Sequence, residues 1–424
     1  MDFETSGYAR TTLSSAGAPF LDSWTTHAMV RAAIDELPTE IVRARIAVGA
    51  IFFVNGLVLA SWLPHIPAVK AAHAISDGQL GLILLCMAVG ALLALPVAGF
   101  LVGRLGSRLM TSGTALALCA ALPLPLLAPR VEVLGLVLVL FGAANATLDV
   151  SMNAQAVAVE ARWGRAIMSS FHGLFSLGGL AGAALAGVAM AAGMGDVPHV
   201  VVTALACVTA VLGCLPFLLP SPAAAGGLGP VFARPRGALL SLGALAFCGL
   251  IAEGAMGDWS AVYLHDTLGS SPALASAGFA ACSLAMAVGR FTGDGLVRRH
   301  GAARVLRVSS TVAAAGLVGA LLVGTPAGGV VGFGLVGLGV ANVVPILFSA
   351  AGRVPGTEPG VGIAAVATTG YFGFLVGPPV IGMVADVTGL RVALGIVAGL
   401  CAYIAAASNA LDIASAAAES RAVA

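Results

Sequence analysis

The sequence predicts an all-α membrane protein of twelve transmembrane helices, built as two six-helix pseudo-repeats. Three observations predict it. Hydrophobic residues make up 59% of the 424-residue chain and charged residues only 9%, far below the quarter or so that a soluble domain carries. Apolar runs of about 20 residues, the length that crosses a bilayer, recur between short Arg, Gly and Pro clusters. Two short motifs also recur at nearly one interval, about half the chain apart. This composition excludes a soluble enzyme, a disordered chain and a nucleic-acid binder. At a net charge of +1 no long-range field draws a polyanion.

In chain order, residues 1–42 are polar and lack the apolar core of a secretory signal. They read as a cytoplasmic tail with a short helix near Ser23–Asp35. A first bundle, 43–219, holds spans at 44–64, 78–101, 109–128, 132–157, 167–191 and 198–219. The stretch 220–237 is rich in Pro, Gly and Ala, carries Arg234 and Arg236, and reads as a cytoplasmic linker. A second bundle, 238–408, holds spans at 238–262, 274–296, 305–325, 329–351, 361–384 and 389–408. Residues 409–424 are a second cytoplasmic tail.

The basic residues test this plan. With the N-terminus inside, Arg10, Arg31, Arg43, Arg45, Arg104, Arg108, Arg162, Arg165, Arg234, Arg236, Arg290, Arg298, Arg299, Arg304, Arg307, Arg353 and Arg421 fall at or near the cytoplasmic side. Lys70, Arg130 and Arg391 fall outside. That is 17 against 3, a positive-inside bias that one missed helix would scramble.

The halves repeat. Leu101-Val102-Gly103-Arg104-Leu105-Gly106 follows the second span, and Leu296-Val297-Arg298-Arg299-His300-Gly301 follows the eighth, 195 residues on (101 to 296). His172-x-x-Phe175-x-x-Gly178 in the fifth span is matched by Tyr371-x-x-Phe374-x-x-Gly377 in the eleventh, 199 residues on (172 to 371). Parallel six-helix repeats place a binding site at the midplane between the halves.

Gly99-x-Leu101-x-Gly103-Arg104-x-Gly106-x-Arg108 resembles the signature that the major facilitator superfamily carries between its second and third helices, with Gly103 where that family usually has an acid. The resemblance covers roughly 43–410. It implies a gate latch in which Arg104 and Arg108 lock to a carboxylate or helix end, with Asp294 and Arg299 in the equivalent turn of the second half. The alternative is that these charges only set topology. Leu148-Asp149-Val150-Ser151-Met152-Asn153 and the His172–Gly178 segment resemble the fucose-permease-related branch. Glu253-Gly254-x-x-x-Asp258-Trp259, Gly289-Arg290-Phe291-Thr292-Gly293 and the Ala367–Tyr371 segment resemble a bacterial inner-membrane subgroup of it. The helix-one acid of sugar–proton symporters is replaced here by Asn55, Ser61 and Trp62.

A charge at the bilayer centre costs about 2.5–3.5 kcal/mol on insertion scales, so the few inside this chain stand out. Asn145, Asp149 and Asn153 recur at i, i+4 and i+8 on one helix face. Asp149 is expected to gain and lose a proton, and the two Asn side chains to bind substrate hydroxyls; a protonated Asp cross-linking helices is the alternative. Glu253 in the seventh span is expected to carry a proton or accept a hydrogen bond from substrate. Ser169, His172 and Ser176 share a face, and Tyr371 stands where His172 does in the other half. Asn55 and Asn342 complete the candidate binding set. Asp258 and Trp259 are expected as gate or anchor, and Trp62 at the outer interface.

The seven cysteines stand singly in apolar runs, without metal spacing. No phosphate loop of the Gly-x-x-x-x-Gly-Lys-Ser/Thr type occurs, and the chain has one lysine. The expectation is therefore a monomeric, multi-pass transporter of a bacterial inner membrane, with both termini cytoplasmic and no cofactor or metal. Its partners are a small polar, sugar-like solute, a proton and the bilayer. Export of an amphipathic compound is the rival within transport. A sensor on the same scaffold would need an output domain that neither tail nor linker can supply, and a membrane enzyme a nucleophile or metal cluster that the sequence lacks.

Overall fold

The computed structural model describes residues 38–164, 167–220, 237–354, 357, 359–409 and 411. The expected tails, apart from 38–42 at one end and 409 and 411 at the other, and nearly all of the linker lie outside these residues. Among the described residues every regular element is helical, and twelve helices are long and apolar enough to cross a membrane.

Spans 1 to 6 are Thr39–Ala72, Asp77–Leu95, Ser107–Leu127, Val131–Trp163, Ser170–Ala191 and Asp196–Phe217. Spans 7 to 12 are Ala238–Thr267, Pro272–Gly293, Ala302–Val323, Pro326–Ala351, Ala365–Thr388 and Leu390–Ala407. The helices of spans 2 and 8 run on to Leu105 and His300. Span 1 begins at Thr39, inside the stretch expected as tail, and passes 64 through a tight turn at Leu63–His65. Pro64 and Pro67 sit at first-turn positions, where no intrahelical N–H is lost.

The predicted repeat is visible in the packing. In the first half span 1 packs on span 5, span 2 on span 4, and span 3 on spans 4 and 6. Adding six to each number gives the packing of the second half: 7 on 11, 8 on 10, and 9 on 10 and 12. The halves meet through two equivalent seams, span 2 on span 11 and span 5 on span 8. The recurrent loop motif closes identically in both halves. Gly106 (φ 84, ψ 149) and Gly301 (φ 80, ψ 151) adopt a conformation that is essentially Gly-only. Their N–H groups donate to Val102 and Val297 respectively.

Polar stitches hold the first half together. Gln155 is fully buried; its amide donates to Ser107 Oγ (2.8 Å) and the Leu219 carbonyl (3.0 Å), and its Oε1 accepts from Leu219 N–H. Glu160 Oε2 accepts from the N–H groups of Ile167 (2.7 Å) and Met168 (2.8 Å), capping the start of the span 5 helix. His65, wholly buried, bonds Asp196 and His199, each at 3.0 Å, and so ties span 1 to span 6.

Among the described residues, Arg43, Arg45, Arg104, Arg108, Arg162, Arg298, Arg299, Arg304, Arg307 and Arg353 lie toward one face of the bundle, called the arginine face below. Lys70, Arg130 and Arg391 lie toward the opposite face. Arg290 corrects the expectation. It stands ten residues before the helix end at His300, about 15 Å deep at 1.5 Å per residue, and belongs to the interior rather than to a loop.

Candidate functional site

A cavity of about 390 Å³ lies between the halves, within the usual range for small-molecule sites. Spans 1, 2, 4 and 5 of the first half line it, with spans 7, 8 and 11 of the second. Toward the opposite face it is bounded by Trp62, Leu63 and Asp258; toward the arginine face its lining reaches Leu95, Asp149 and Thr368. Its polar groups include Asn145, Asp149, Ser176, Glu253, Asp258, Ser283 and Tyr371, and its apolar wall includes Met87, Phe175, Phe279, Met286 and Phe374.

Asp149 sits on span 4 with the Asn153 amide bonded to its backbone oxygen (2.8 Å) and to Oδ1 (3.1 Å). Glu253 Oε1 accepts from Arg290 Nη2 at 3.3 Å, and Arg290 Nη1 donates to Ser176 Oγ at 2.9 Å. One guanidinium thus joins spans 7 and 8 of the second half to span 5 of the first. The Tyr371 ring stacks on Phe374, centroids 6.4 Å apart. Asn145 Oδ1 and Trp62 Nε1 are buried with no hydrogen-bond partner among the described residues.

Of the residues singled out in the sequence, Asn145, Asp149, Ser176, Glu253 and Tyr371 come together in this cavity. Four others lie outside its lining. Asn153 is turned onto Asp149. Asn55 is 1% exposed and reaches Met152 Sδ. His172 meets the Phe52 ring edge-on, centroids 5.4 Å apart. Asn342 fills the break between the two helices of span 10 and donates to the Gly289 carbonyl at 3.0 Å. The side chains of Ser169 and Asp294 fall outside the described residues.

Among the described residues, no contact of Arg104, Arg108 or Arg299 bridges the halves at the arginine face. Arg104 lies over the Phe100 ring of its own helix (6.0 Å), and Arg108 donates to the Leu215 carbonyl in the same half (3.3 Å). Arg299 is exposed. Apart from the Arg290–Ser176 contact at the cavity, the polar bridges described between the halves lie at the opposite face. Lys70 Nζ reaches Asp77 (2.6 Å) in its own half and Asp266 (2.7 Å) in the other. Asp266 belongs to a π-helical turn that ends span 7. Asp386 of span 11 accepts from Ser76 Oγ (2.8 Å) and from the Gly78 N–H (2.9 Å), so one half caps a helix N-terminus of the other.

Trp62, expected at the interface, is 1% exposed and lines the cavity, and Trp259 is wholly buried. Both are drawn inward because the turn at Leu63–His65 and the π turn after Val262 lengthen spans 1 and 7 beyond these residues. Asp258, expected as gate or anchor, also lines the cavity. A signal for Arg290 was present in the sequence: the helix end already carries Arg298 and Arg299, so a further Arg two turns deeper is not needed there. No group of three or more His, Cys, Asp or Glu residues that could hold a metal occurs among the described residues, and all seven cysteines are free.

Comparison with known proteins matches residues 48–371 to the family model described as Major Facilitator Superfamily. An uncharacterized MFS-type transporter of Yersinia pestis is 38% identical over 360 residues, 85% of this chain and 94% of that protein. Membrane protein MosC of Rhizobium meliloti is 38% identical over 370 residues, 86% of this chain and 89% of that protein. Among solved structures, the nucleoside transporter NupG superposes with a TM-score of 0.66 at 16% identity, covering 87% of this chain and 98% of that one. A bacterial homolog of the human lysosomal transporter Spinster superposes with a TM-score of 0.62 at 14% identity, covering 89% and 96%.

Proposed function

The chain belongs to the major facilitator superfamily, and from that premise we propose that this membrane transporter carries a small polar, sugar-like organic solute by proton-coupled alternating access. The observation that carries the reading is the cavity itself: it lies between the halves, and two carboxylates, Asp149 and Glu253, face it from opposite sides. Ser176, Asn145 and Tyr371 supply hydroxyl and amide partners for a polyhydroxylated solute, and the aromatic wall supports a ring face.

In this reading the arginine face is cytoplasmic, as the positive-inside rule favours. The termini lie inside, the membrane is a bacterial inner membrane, and the working unit is a monomer. The Lys70–Asp266 and Asp386–Ser76 contacts then form an outer gate, closed here. Protonation of Glu253 weakens its hold on Arg290 and loosens the tie to Ser176 in the other half. Asp149 takes and releases a proton as the cavity alternates. The chain has no phosphate loop, which leaves an ion gradient or passive movement, and in this reading a proton gradient drives transport.

Proteoliposomes with an imposed pH gradient test the coupling. Asp149→Asn is expected to abolish uphill uptake while counterflow continues; uphill uptake that survives the change refutes the assignment. The Met87, Met286, Phe175 and Phe279 wall favours a second reading, export of an amphipathic compound. Substrate-stimulated proton movement of the reverse sign in the same vesicles would select it.

A further inference from the structure

Acidic groups outnumber basic ones at the cavity. Asp149, Glu253 and Asp258 line it. Arg290 is committed to Glu253 and Ser176, and Asp149 holds the Asn153 amide. Asp258 has neither hydrogen bond nor ion pair among the described residues. Its surroundings are apolar and aromatic. A Cβ on neighbouring Gly257 would stand 3.5 Å from Leu63 and 3.8 Å from Phe279, and Trp62 closes the same end. An unpaired carboxylate in such a site is costly, and either a proton or a cationic partner relieves that cost. Asn145 Oδ1 is a second buried acceptor without a partner, in the same cavity. Both lack a donor, and an ammonium group offers three donors and no acceptor. Aromatic faces nearby add cation–π attraction.

We propose that the Asp258 end of the cavity binds the protonated amine of the transported solute, so that the substrate class is an amine-bearing polar compound rather than a neutral sugar. The inference rests on the transport reading above and narrows its substrate. Asp258 supplies the counter-charge, Phe279 and Trp62 the aromatic wall, and the hydroxyl-binding groups around Ser176 and Tyr371 take the rest of the molecule.

Matched pairs test it. Binding to the purified full chain is measured by titration calorimetry for glucosamine against glucose and N-acetylglucosamine, and for phenethylamine against 2-phenylethanol. At least one amine is expected to bind about tenfold or more tighter than its neutral partner, the size of a charge-assisted contact. That ratio is expected to fall toward one in Asp258→Asn and to persist in Asp258→Glu, which controls for misfolding because it keeps the charge. Equal or tighter binding of the neutral members, no binding of either amine, or an unchanged preference in Asp258→Asn overturns the proposal. Uptake of the same compounds into proteoliposomes separates the two levels. Movement of a neutral member without amine preference refutes the amine and leaves transport of a polar solute standing. A compound that binds and is not moved refutes that transport reading.

Discussion

Gly382→Ala should open the face that this structure closes. Gly382 lies where span 11 meets span 2, and a Cβ there would stand 2.4 Å from the Asp77 carbonyl oxygen and 3.2 Å from Gly81 Cα. Both are backbone atoms and cannot rotate aside, so the helices must part by about 1 Å to restore van der Waals contact. Overpacking of this kind costs about 1–3 kcal/mol, and only the state in which spans 2 and 11 touch bears it. The equilibrium should therefore move about 5- to 150-fold toward the state open at that face. The assay is alkylation of Ala60→Cys, a cavity-lining position 1% exposed here, by an impermeant maleimide added from outside to right-side-out vesicles. The parent with its seven native cysteines sets the background. A rate rise of at least about fivefold is expected. Gly399→Ala, whose added Cβ meets nothing within 4 Å, should leave the rate alone. An unchanged rate in Gly382→Ala, or an equal rise in Gly399→Ala, would refute the reasoning.

Two other perturbations follow from contacts described above. Lys70→Gln and Asp266→Asn each remove the ion pair between halves, in which the side chains are 16% and 31% exposed; partial exposure limits it to about 1 kcal/mol, so maleimide access should rise roughly fivefold in either. The double variant should add little, and full additivity would mean that the two residues act separately. Glu160→Gln takes the carboxylate from two backbone N–H groups at the start of span 5, with an expected loss of about 1–2 kcal/mol; thermal unfolding in detergent should shift down by a few degrees, and an unaltered midpoint would show the cap to be dispensable.

How much of this was readable from residues alone depends on where each signal lies. The twelve spans follow from apolar length, and the two halves from motifs near residues 101 and 296 whose glycines share one backbone conformation. Asp149 and Glu253 were legible because a carboxylate in an apolar helix has few reasons to be there. Arg290 was misplaced because depth along a helix depends on where the helix ends, and its neighbours Arg298 and Arg299 drew it toward the loop. Trp62 was misplaced for the same reason: Pro64 reads as a stop, yet the chain continues to Ala72. His172 and Asn153 occupy polar stripes, but a stripe spans more of the helix than the cavity touches, and only packing decides which member faces in. The contacts of Lys70 join residues up to 196 apart in sequence, a pairing that no local pattern announces.

Lys70 has a practical consequence. It is the sole lysine among 424 residues, so the bridge between the halves carries the only side-chain amine in the protein. An impermeant, amine-acylating ester has one side-chain target in the unaltered chain, and a tryptic or mass-spectrometric readout has one site to quantify. The acylation rate of that site, with Lys70 at 16% exposure and paired to two carboxylates in this state, reports the conformational cycle of the native transporter without any engineered label.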